Sequence, residues 1–217
     1  MAGSLKTSRP RISEPPEGGW LYLIALGSNQ RHHRFGGPRA VLAAAARAMA
    51  QAGLSIREVA PVIESAPVGP SWRRYANGAA VVLSGMTPPR MLALLQGIEA
   101  DFGRRRARRW GTRVLDLDIV LWQGGQWRSG GAGRLALRVP HDAFRQRGFV
   151  LGPAARIAPS LRDPLTGFTL RQLHARLTRR FDAPRGAHPG DGIGGTPVRP
   201  ALRGPLAQSV EQLTFNQ

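Results

Sequence analysis

Two aspartates and a dense run of arginines stand together in residues 103–122, which read GRRRARRWGTRVLDLDIVLW. Asp116 and Asp118 are two residues apart in an apolar, strand-like segment, so both carboxylates should point to the same face of a sheet, about 7 Å apart. Two carboxylates on a partly buried face repel each other and lose hydration unless a cation lies between them. Mg²⁺ suits this position because it is usually held by one or two carboxylates together with substrate phosphates.

The neighbouring arginines favour a phosphate-containing ligand. Two simpler interpretations remain open, namely a salt-bridge cluster with the aspartates and a solvated basic loop. The segment nevertheless holds more cations than two aspartates need, among them Arg104, Arg106, Arg109 and Arg113. A guanidinium group binds phosphate oxygens through two parallel hydrogen bonds. The pattern therefore favours phosphoryl-type transfer, in which positioning and charge neutralisation provide most of the catalysis.

A second basic group lies in VPHDAFRQRGF at 139–149, which contains His141, Arg145 and Arg147. A histidine here is either a neutral donor to phosphate or an ordinary surface residue. The sequence contains neither a GxxxxGK[ST] loop nor a protein-kinase catalytic-loop motif, so P-loop and protein-kinase chemistry are not supported. The glycines of GDGIGG at 190–195 match the composition of a linker.

Composition narrows the class of protein. The 217 residues carry a formal charge of +18, which implies a polyanionic partner such as nucleic acid, an anionic membrane or a phosphate ligand. About +15 of this charge lies in residues 20–178, because the two flanks carry only +3 and −2, and +5 and −3. Cysteine is absent, which excludes disulfides and Cys-bound zinc. With no membrane span or apolar signal core, we expect a soluble cytoplasmic protein.

Apolar periodicity and turn residues predict the elements that must position these groups. They predict strands at 20–27, 54–67, 75–85 and 113–122, and helices at 37–53 and 88–102, the second with Thr87 as its N-cap. Pro61 restricts part of the second strand to an edge or a bulge. We also predict a hairpin turn at 123–134, a short strand and turn at 148–161, and a helix at 169–177. The order is that of a ferredoxin-like βαββαβ domain of the α+β class, with a mixed or antiparallel sheet and helices on one face.

The two ends of the chain differ from this domain. Residues 1–19 and 179–217 are rich in Pro and Gly without periodicity, so we expect a disordered leader, a domain at 20–178 and a disordered tail. One permitted back-translation of the last residues, LAQSVEQLTFNQ, resembles the D-arm and anticodon arm of a bacterial lysine tRNA gene. We hypothesise that the reading frame runs into a tRNA gene there, so those residues carry no selected protein function.

Five segments carry a resemblance to a known family. They are ALGSNQ (25–30), SAPVGP (65–70), YANGAAVV (75–82), the arginine–aspartate segment (103–122) and VPHDAFRQRGFVLGPAARIAP (139–159). Over about residues 20–178 the chain resembles 6-hydroxymethyl-7,8-dihydropterin pyrophosphokinase of folate biosynthesis. The resemblance implies Mg²⁺-dependent transfer of a pyrophosphoryl group from ATP, the co-substrate, to the pterin hydroxymethyl oxygen, giving AMP and the pterin diphosphate. It also implies two Mg²⁺ ions, and we expect a monomer with no nucleic-acid or membrane partner.

The resemblance assigns roles to individual residues. Asp116 and Asp118 match the ligands of both metals, and with Arg104 and Arg113 they form the expected catalytic set. The positions that match contacts to ATP are Gln96, Glu99, Arg104, Arg106, Arg109, Trp110, Arg113, Ile119, His141 and Arg147. The arginines among them fall on a mobile loop that clamps the triphosphate and excludes water.

The pterin side of the resemblance involves a second set of residues. Tyr75 and Phe149 match the two aromatic side chains that sandwich the ring, and Asn77 matches the amide that reads its hydrogen-bonding edge. Without the resemblance, both aromatic residues would be interpreted as core. Further pterin contacts are expected from Gly27, Ser65, Ala66 and Val68, and from Trp110, which closes over the site.

Four positions differ from the family pattern. Ala66 stands where proline is common, and Thr112 where proline often follows the Trp-Gly pair; both concern loop geometry. Asp142 follows the histidine where Pro or Tyr is usual, which places an acid near the nucleotide phosphates. Arg138 stands where a small polar residue often faces adenine.

A basic ferredoxin-like module that binds RNA is the main alternative function. Such sheets usually present aromatic side chains on a central strand. Here the candidate strand carries Asp116 and Asp118 instead, which would repel a phosphate backbone unless a metal were bound. The period-two spacing of the aspartates therefore favours an enzyme.

Overall fold

A computed structural model of the chain describes residues 16–65, 74–103, 114–129 and 137–182. These ranges belong to one structural unit. Within them, no helix has both the length and the apolar character needed to cross a membrane.

The main sheet is antiparallel, with the apolar strand β1 inside. β1 (Trp20–Ser28) lies between β4 (Tyr75–Ser84) and β5 (Asp116–Trp122). The other edge of β4 pairs with β2 (Ser55–Val59) and with β3 (Ile63–Ser65). Both edges of β1 are thus hydrogen-bonded, which suits a continuous apolar run buried on both faces. These strands confirm the predicted sheet.

Two helices pack on one face of the sheet. α1 (Pro38–Gln51) and α2 (Pro88–Asp101) each begin with a proline in the first turn, where the missing N–H is no loss. Thr87 occupies the N-cap position of α2, although its side chain makes no capping hydrogen bond. The buried faces of both helices form one apolar cluster with alternate residues of β1. The predicted βαββαβ core, with its two helices on one face, is confirmed.

Two further helices cover the opposite face. α3 (Gly148–Ile157) and α4 (Leu170–Asp182) bury Leu151 and Leu170 against the sheet in a second apolar cluster. The prediction of a short strand and turn at 148–161 was therefore wrong. The segment is predominantly apolar, and periodicity does not distinguish a buried strand from a buried helix in such a run.

Pro153 explains part of that error, because a proline inside a helix removes a backbone hydrogen bond and usually marks a break. Here it lies within α3 and is buried. The predicted helix at 169–177 is present and continues to Asp182.

The remaining differences from the prediction are local. The predicted strand at 54–67 is divided into β2 and β3 on either side of Pro61, in keeping with the predicted edge or bulge. The predicted hairpin turn at 123–134 contains the short strand β6 (Trp127–Arg128), which pairs with β7 (Arg138–Val139).

Candidate active site

Three strands bring the predicted metal and pterin residues into line. Across the sheet, Gly27 on β1 is paired with Asn77 on β4 and with Asp116 on β5. Ala25 is paired in the same way with Asp118. Leu117 and Ile119 point to the opposite face, where they are buried with α1 and α2. Both carboxylates therefore lie on the same face, as their spacing predicts, and this is the face that carries α3 and α4.

Gly27 keeps space open in the middle of this row. A Cβ atom built on it would lie 3.8 Å from Asp116 Cβ and 3.9 Å from Asn77 Oδ1. These are ordinary contact distances, so a methyl group would fit, but it would occupy the gap between the amide and the carboxylate. The glycine therefore provides room rather than an unusual backbone conformation.

The amide of Asn77 is held in a fixed orientation. Its Nδ2 donates a 2.8 Å hydrogen bond to Ser65 Oγ on β3 and a longer one, 3.5 Å, to the Tyr75 carbonyl oxygen. The residue is 5% exposed, and Tyr75 beside it is half-buried. Three of the predicted pterin residues, Ser65, Tyr75 and Asn77, are thus adjacent. Because the Nδ2 group of Asn77 faces Ser65, its Oδ1 atom lies on the side of Gly27.

The donor set at Asp116 and Asp118 fits a hard divalent cation. Both carboxylates are partly exposed on one strand face and stand beside small residues of β1. Over the described ranges, no group of three or more His, Cys, Asp or Glu side chains could hold a metal ion. Two carboxylate ligands completed by phosphate oxygens are the usual environment of Mg²⁺ in nucleotide sites.

Glu99 connects α2 to the strand that carries the aspartates. Its side chain is buried, with 1% exposure, and Oε1 accepts a 2.8 Å hydrogen bond from the backbone N–H of Leu117. Leu117 lies between Asp116 and Asp118, so the contact holds the backbone at the centre of the candidate metal site. Gln96, one turn earlier on α2, is exposed. The sequence did not reveal this contact, because it depends on how α2 packs at the sheet edge.

The segment 139–149 is attached to the same strand. The backbone N–H of His141 donates a 3.0 Å hydrogen bond to the carbonyl oxygen of Val120, at the point where the register of β5 against β1 shifts. Nδ1 of His141 accepts a bond from the N–H of Ala143 at 3.2 Å. A neutral His141 ring therefore carries its hydrogen on Nε2, which makes that atom a donor.

The other predicted residues of this segment lie at the start of α3. Arg147 is the N-cap residue, and its guanidinium carbon lies 5.9 Å from the centroid of the Phe149 ring. Phe149 is half-buried against the apolar cluster beneath α3. Ile119, by contrast, is buried among the residues of α1 and α2, so its side chain does not reach the carboxylate face.

Arg138 and Asp142, two of the positions that differ from the family pattern, contact each other. Arg138 Nη1 donates a 3.2 Å hydrogen bond to Asp142 Oδ2, and both side chains are exposed. The positive charge of Arg138 is thus paired with the negative charge of Asp142. Seven predicted site residues lie outside the described ranges and stay predictions: Ala66, Val68, Arg104, Arg106, Arg109, Trp110 and Arg113.

Fold and site together define an α+β domain of the ferredoxin-like kind, with a carboxylate pair and an oriented amide on one sheet face. Comparison with known proteins agrees with this class. The family model of 7,8-dihydro-6-hydroxymethylpterin-pyrophosphokinase matches residues 23–159, which is more than half of the chain. The chain belongs to this family.

Individual relatives support the assignment. The 2-amino-4-hydroxy-6-hydroxymethyldihydropteridine pyrophosphokinase of Pseudomonas aeruginosa is 39% identical over 143 residues, which are 65% of this chain and 82% of that protein. The Bacillus subtilis protein of the same name is 31% identical and covers 74% of this chain and 91% of its own length. The Synechocystis protein is 36% identical over 56% of this chain, and the match spans 60% of its length.

Solved structures support the fold. The Plasmodium falciparum HPPK-DHPS structure with pteroate has a TM-score of 0.60 and 12% sequence identity. The similarity covers 76% of this chain and 45% of that one. At this identity the comparison shows a shared fold.

Proposed function

We propose that this chain transfers the pyrophosphoryl group of ATP to 6-hydroxymethyl-7,8-dihydropterin in a Mg²⁺-dependent reaction of folate biosynthesis. The observation that carries the proposal is the row Asn77–Gly27–Asp116, which places a fixed amide beside a candidate metal ligand with open space between them. Family membership supports the same activity.

On the pterin side, Asn77 would read the hydrogen-bonding edge of the ring. Its bond to Ser65 fixes the amide before the substrate arrives, which lowers the entropic cost of binding. Tyr75 and Phe149 are assigned to the two faces of the ring, and both are half-buried with part of the side chain accessible.

On the nucleotide side, Asp116 and Asp118 would hold Mg²⁺, with two ions as the resemblance implies. The bound metal neutralises charge on the phosphate oxygens and orients them. His141 Nε2 and the guanidinium of Arg147 would donate hydrogen bonds to the triphosphate, and Gln96 would contact the nucleotide from α2. The arginines of 104–113 are assigned to the same phosphates, and Trp110 to closure over the site.

In the reaction, the pterin hydroxymethyl oxygen attacks the β-phosphorus of ATP. The bond between that phosphorus and the oxygen bridging to the α-phosphorus breaks, AMP leaves with the bridging oxygen, and the hydroxyl proton is released. The protein contributes mainly alignment of the attacking oxygen and stabilisation of the charge that develops on the phosphates.

Replacement of either aspartate tests this proposal. Asp116→Ala or Asp118→Ala should reduce pterin-dependent AMP formation by a factor of about a hundred or more, because a main source of charge neutralisation is lost. Circular dichroism should show an unchanged fold. Glu58→Ala, which removes an exposed carboxylate of β2 outside the candidate site, is the control and should keep its activity. Undiminished AMP formation in the aspartate variants, or equal rates with and without the pterin, would contradict the proposal.

We extend the proposal to the chain as a whole. Residues 20–178 would carry the entire activity as a monomer in the cytoplasm, with ATP and the pterin as ligands and no nucleic-acid or membrane partner. Residues 184–217, which follow α4, would have no part in the reaction.

A further inference from the structure

A buried ion pair joins the segment 139–149 to the loop that precedes α4. Arg145 Nε donates a 2.8 Å hydrogen bond to Asp163 Oδ2, and Arg145 Nη2 donates one of 2.7 Å to Asp163 Oδ1. The side chain of Asp163 is 0% exposed and that of Arg145 is 23% exposed. Two parallel charge-assisted bonds in a buried setting fix the relative orientation of both partners.

Asp163 is fully engaged by its surroundings. Besides the two bonds from Arg145, Oδ2 accepts a 2.6 Å bond from Thr166 Oγ1, and Oδ1 accepts a 3.1 Å bond from the Leu165 N–H. The Arg145 guanidinium carbon also lies 4.6 Å from the centroid of the Phe144 ring. The guanidinium of Arg145 is therefore directed toward the protein interior, although the sequence places Arg145 in one basic group with His141 and Arg147.

The pair lies in the middle of the segment that it anchors. Arg145 belongs to the 3₁₀ turn Phe144–Gln146. The turn begins three residues after His141 and ends directly before Arg147, the N-cap residue of α3. One end of the segment is fixed by the bond from His141 to Val120. The other is fixed by α3. The ion pair sets the path of the chain between these two ends.

We propose that Arg145 and Asp163 form a positioning pair for the nucleotide side of the site. By holding the 3₁₀ turn, they place His141 and Arg147 together so that both can reach the same triphosphate. Arg145 acts through these neighbours and does not touch the nucleotide. The identity of the ligand rests on the proposed function; the role of the pair rests on its geometry.

Asp163→Asn tests the pair. It keeps the shape of the side chain but replaces one carboxylate oxygen with an NH₂ group, which cannot accept hydrogen bonds from the surrounding donors. We expect the KM for ATP and the Kd for MgATP, measured by calorimetry, to rise about tenfold or more, since misplacement of about 1 Å can cost up to a hundredfold. The Kd for the pterin should change much less. Glu58→Gln is the control, because it removes one exposed carboxylate charge on β2, outside the segment 139–149, and should change neither constant.

Arg145→Lys provides a second variant, which retains the positive charge but lacks the planar guanidinium group that donates two parallel hydrogen bonds. If Arg145 acts only through Asp163, this variant should weaken MgATP binding no more than Asp163→Asn does. The double variant should bind MgATP no more weakly than Asp163→Asn alone.

Two outcomes would overturn the proposal. One is a lowered melting temperature with unchanged constants for ATP, and the other is a loss of MgATP binding in Arg145→Lys that is absent in Asp163→Asn. If the wild-type protein binds MgATP but forms no AMP with the pterin, the proposed function fails while the binding experiment still tests the pair.

Discussion

At the scale of single residues, the candidate site depends on side chains that hold the backbone as well as on those that face the ligands. Glu99 is the clearest example. Its carboxylate accepts a hydrogen bond from the Leu117 N–H, which lies between the two aspartates on β5. The other edge of β5 is hydrogen-bonded to β1. A buried N–H without a partner is costly, so the carboxylate stabilises this part of β5 in the place where its geometry matters most.

Glu99→Gln and Glu99→Leu separate hydrogen bonding from charge at this position. The glutamine retains an acceptor for Leu117, whereas leucine leaves the buried N–H unpaired, so the leucine variant should lose about 1–3 kcal/mol more of the free energy of unfolding. It should also need more Mg²⁺ for half-maximal activity. Urea denaturation and a Mg²⁺ titration of AMP formation provide the measurements. Gln96→Leu, at an exposed position of the same helix, should change stability by about 0.5 kcal/mol or less. Equal stability of the two Glu99 variants would contradict this account.

The placement that the sequence predicted correctly is one that follows from local geometry. The period of two places Asp116 and Asp118 on one face without any knowledge of the fold. The contact between Glu99 and Leu117 spans 18 positions, as does the pair between Arg145 and Asp163, and both depend on tertiary packing. No local pattern reveals such partners, and Asp163 was missed for this reason.

At the scale of elements, the connection between β1 and α1 is stabilised by a histidine. His32 is 7% exposed, and its Nδ1 accepts hydrogen bonds from the N–H groups of Arg34 at 3.1 Å and Phe35 at 3.2 Å. Its backbone also exchanges two hydrogen bonds with Gly36. Burial lowers the pKa of His32, and the positive charges of His33 and Arg34 lower the pKa further. These surroundings therefore favour the neutral form of the ring.

This environment predicts a pH dependence of stability. Because the pKa of His32 is below 6.5 in the folded protein, the unfolded chain takes up a proton first as the pH falls. The contribution of His32 is therefore fully present above pH 6.5 and is lost as the pH falls below that value, toward the lowered pKa of the folded state. Urea denaturation between pH 8 and pH 5 measures the effect.

His32→Asn keeps a short acceptor for the same N–H groups but does not titrate, so it should flatten the curve in this range. His33→Asn changes the exposed neighbour and should retain most of the slope. If His32→Asn retained the full slope, another group would be responsible and the assignment to His32 would be wrong.

Among the elements, the βαββαβ core was predictable and the α3 layer was not. The core helices show one apolar face, begin at Pro and are followed two residues later by Gly, while β1 is an apolar run with Gly27 next to its last residue. α3 combines an apolar composition with an internal Gly-Pro pair, both of which are typical of a strand that ends in a turn. Its helical form depends on burial of Leu151 and Ala154 against the sheet, which is a tertiary effect.

At the scale of the whole molecule, the positive charge of the chain is concentrated in the domain. The formal charge of +18 is carried mostly by residues 20–178, in keeping with a site that receives a triphosphate. The same field would attract other polyanions, and the carboxylate pair on β5 is what favours a metal–nucleotide ligand over a nucleic-acid backbone.

Removal of residues 184–217 tests whether the domain is sufficient. α4 ends at Asp182, so the truncated chain retains all described elements. We expect an unchanged melting temperature and an unchanged kcat/KM for both substrates, measured at equal protein concentration. A fall of tenfold or more in kcat/KM would show that the last residues take part in the function, against our proposal for the tail.

The row of Asn77, Gly27 and Asp116 across three strands has a defined length. Adjacent strands are about 4.8 Å apart, so Asn77 and Asp116, two strands from each other, are separated by about 10 Å. That distance is comparable to the long axis of a bicyclic ring with a one-carbon arm. Under the proposed function, backbone hydrogen bonds fix the separation between the amide that would recognise the ring and the carboxylate that would hold the metal. Substitutions of other side chains on these strands would leave this separation unchanged.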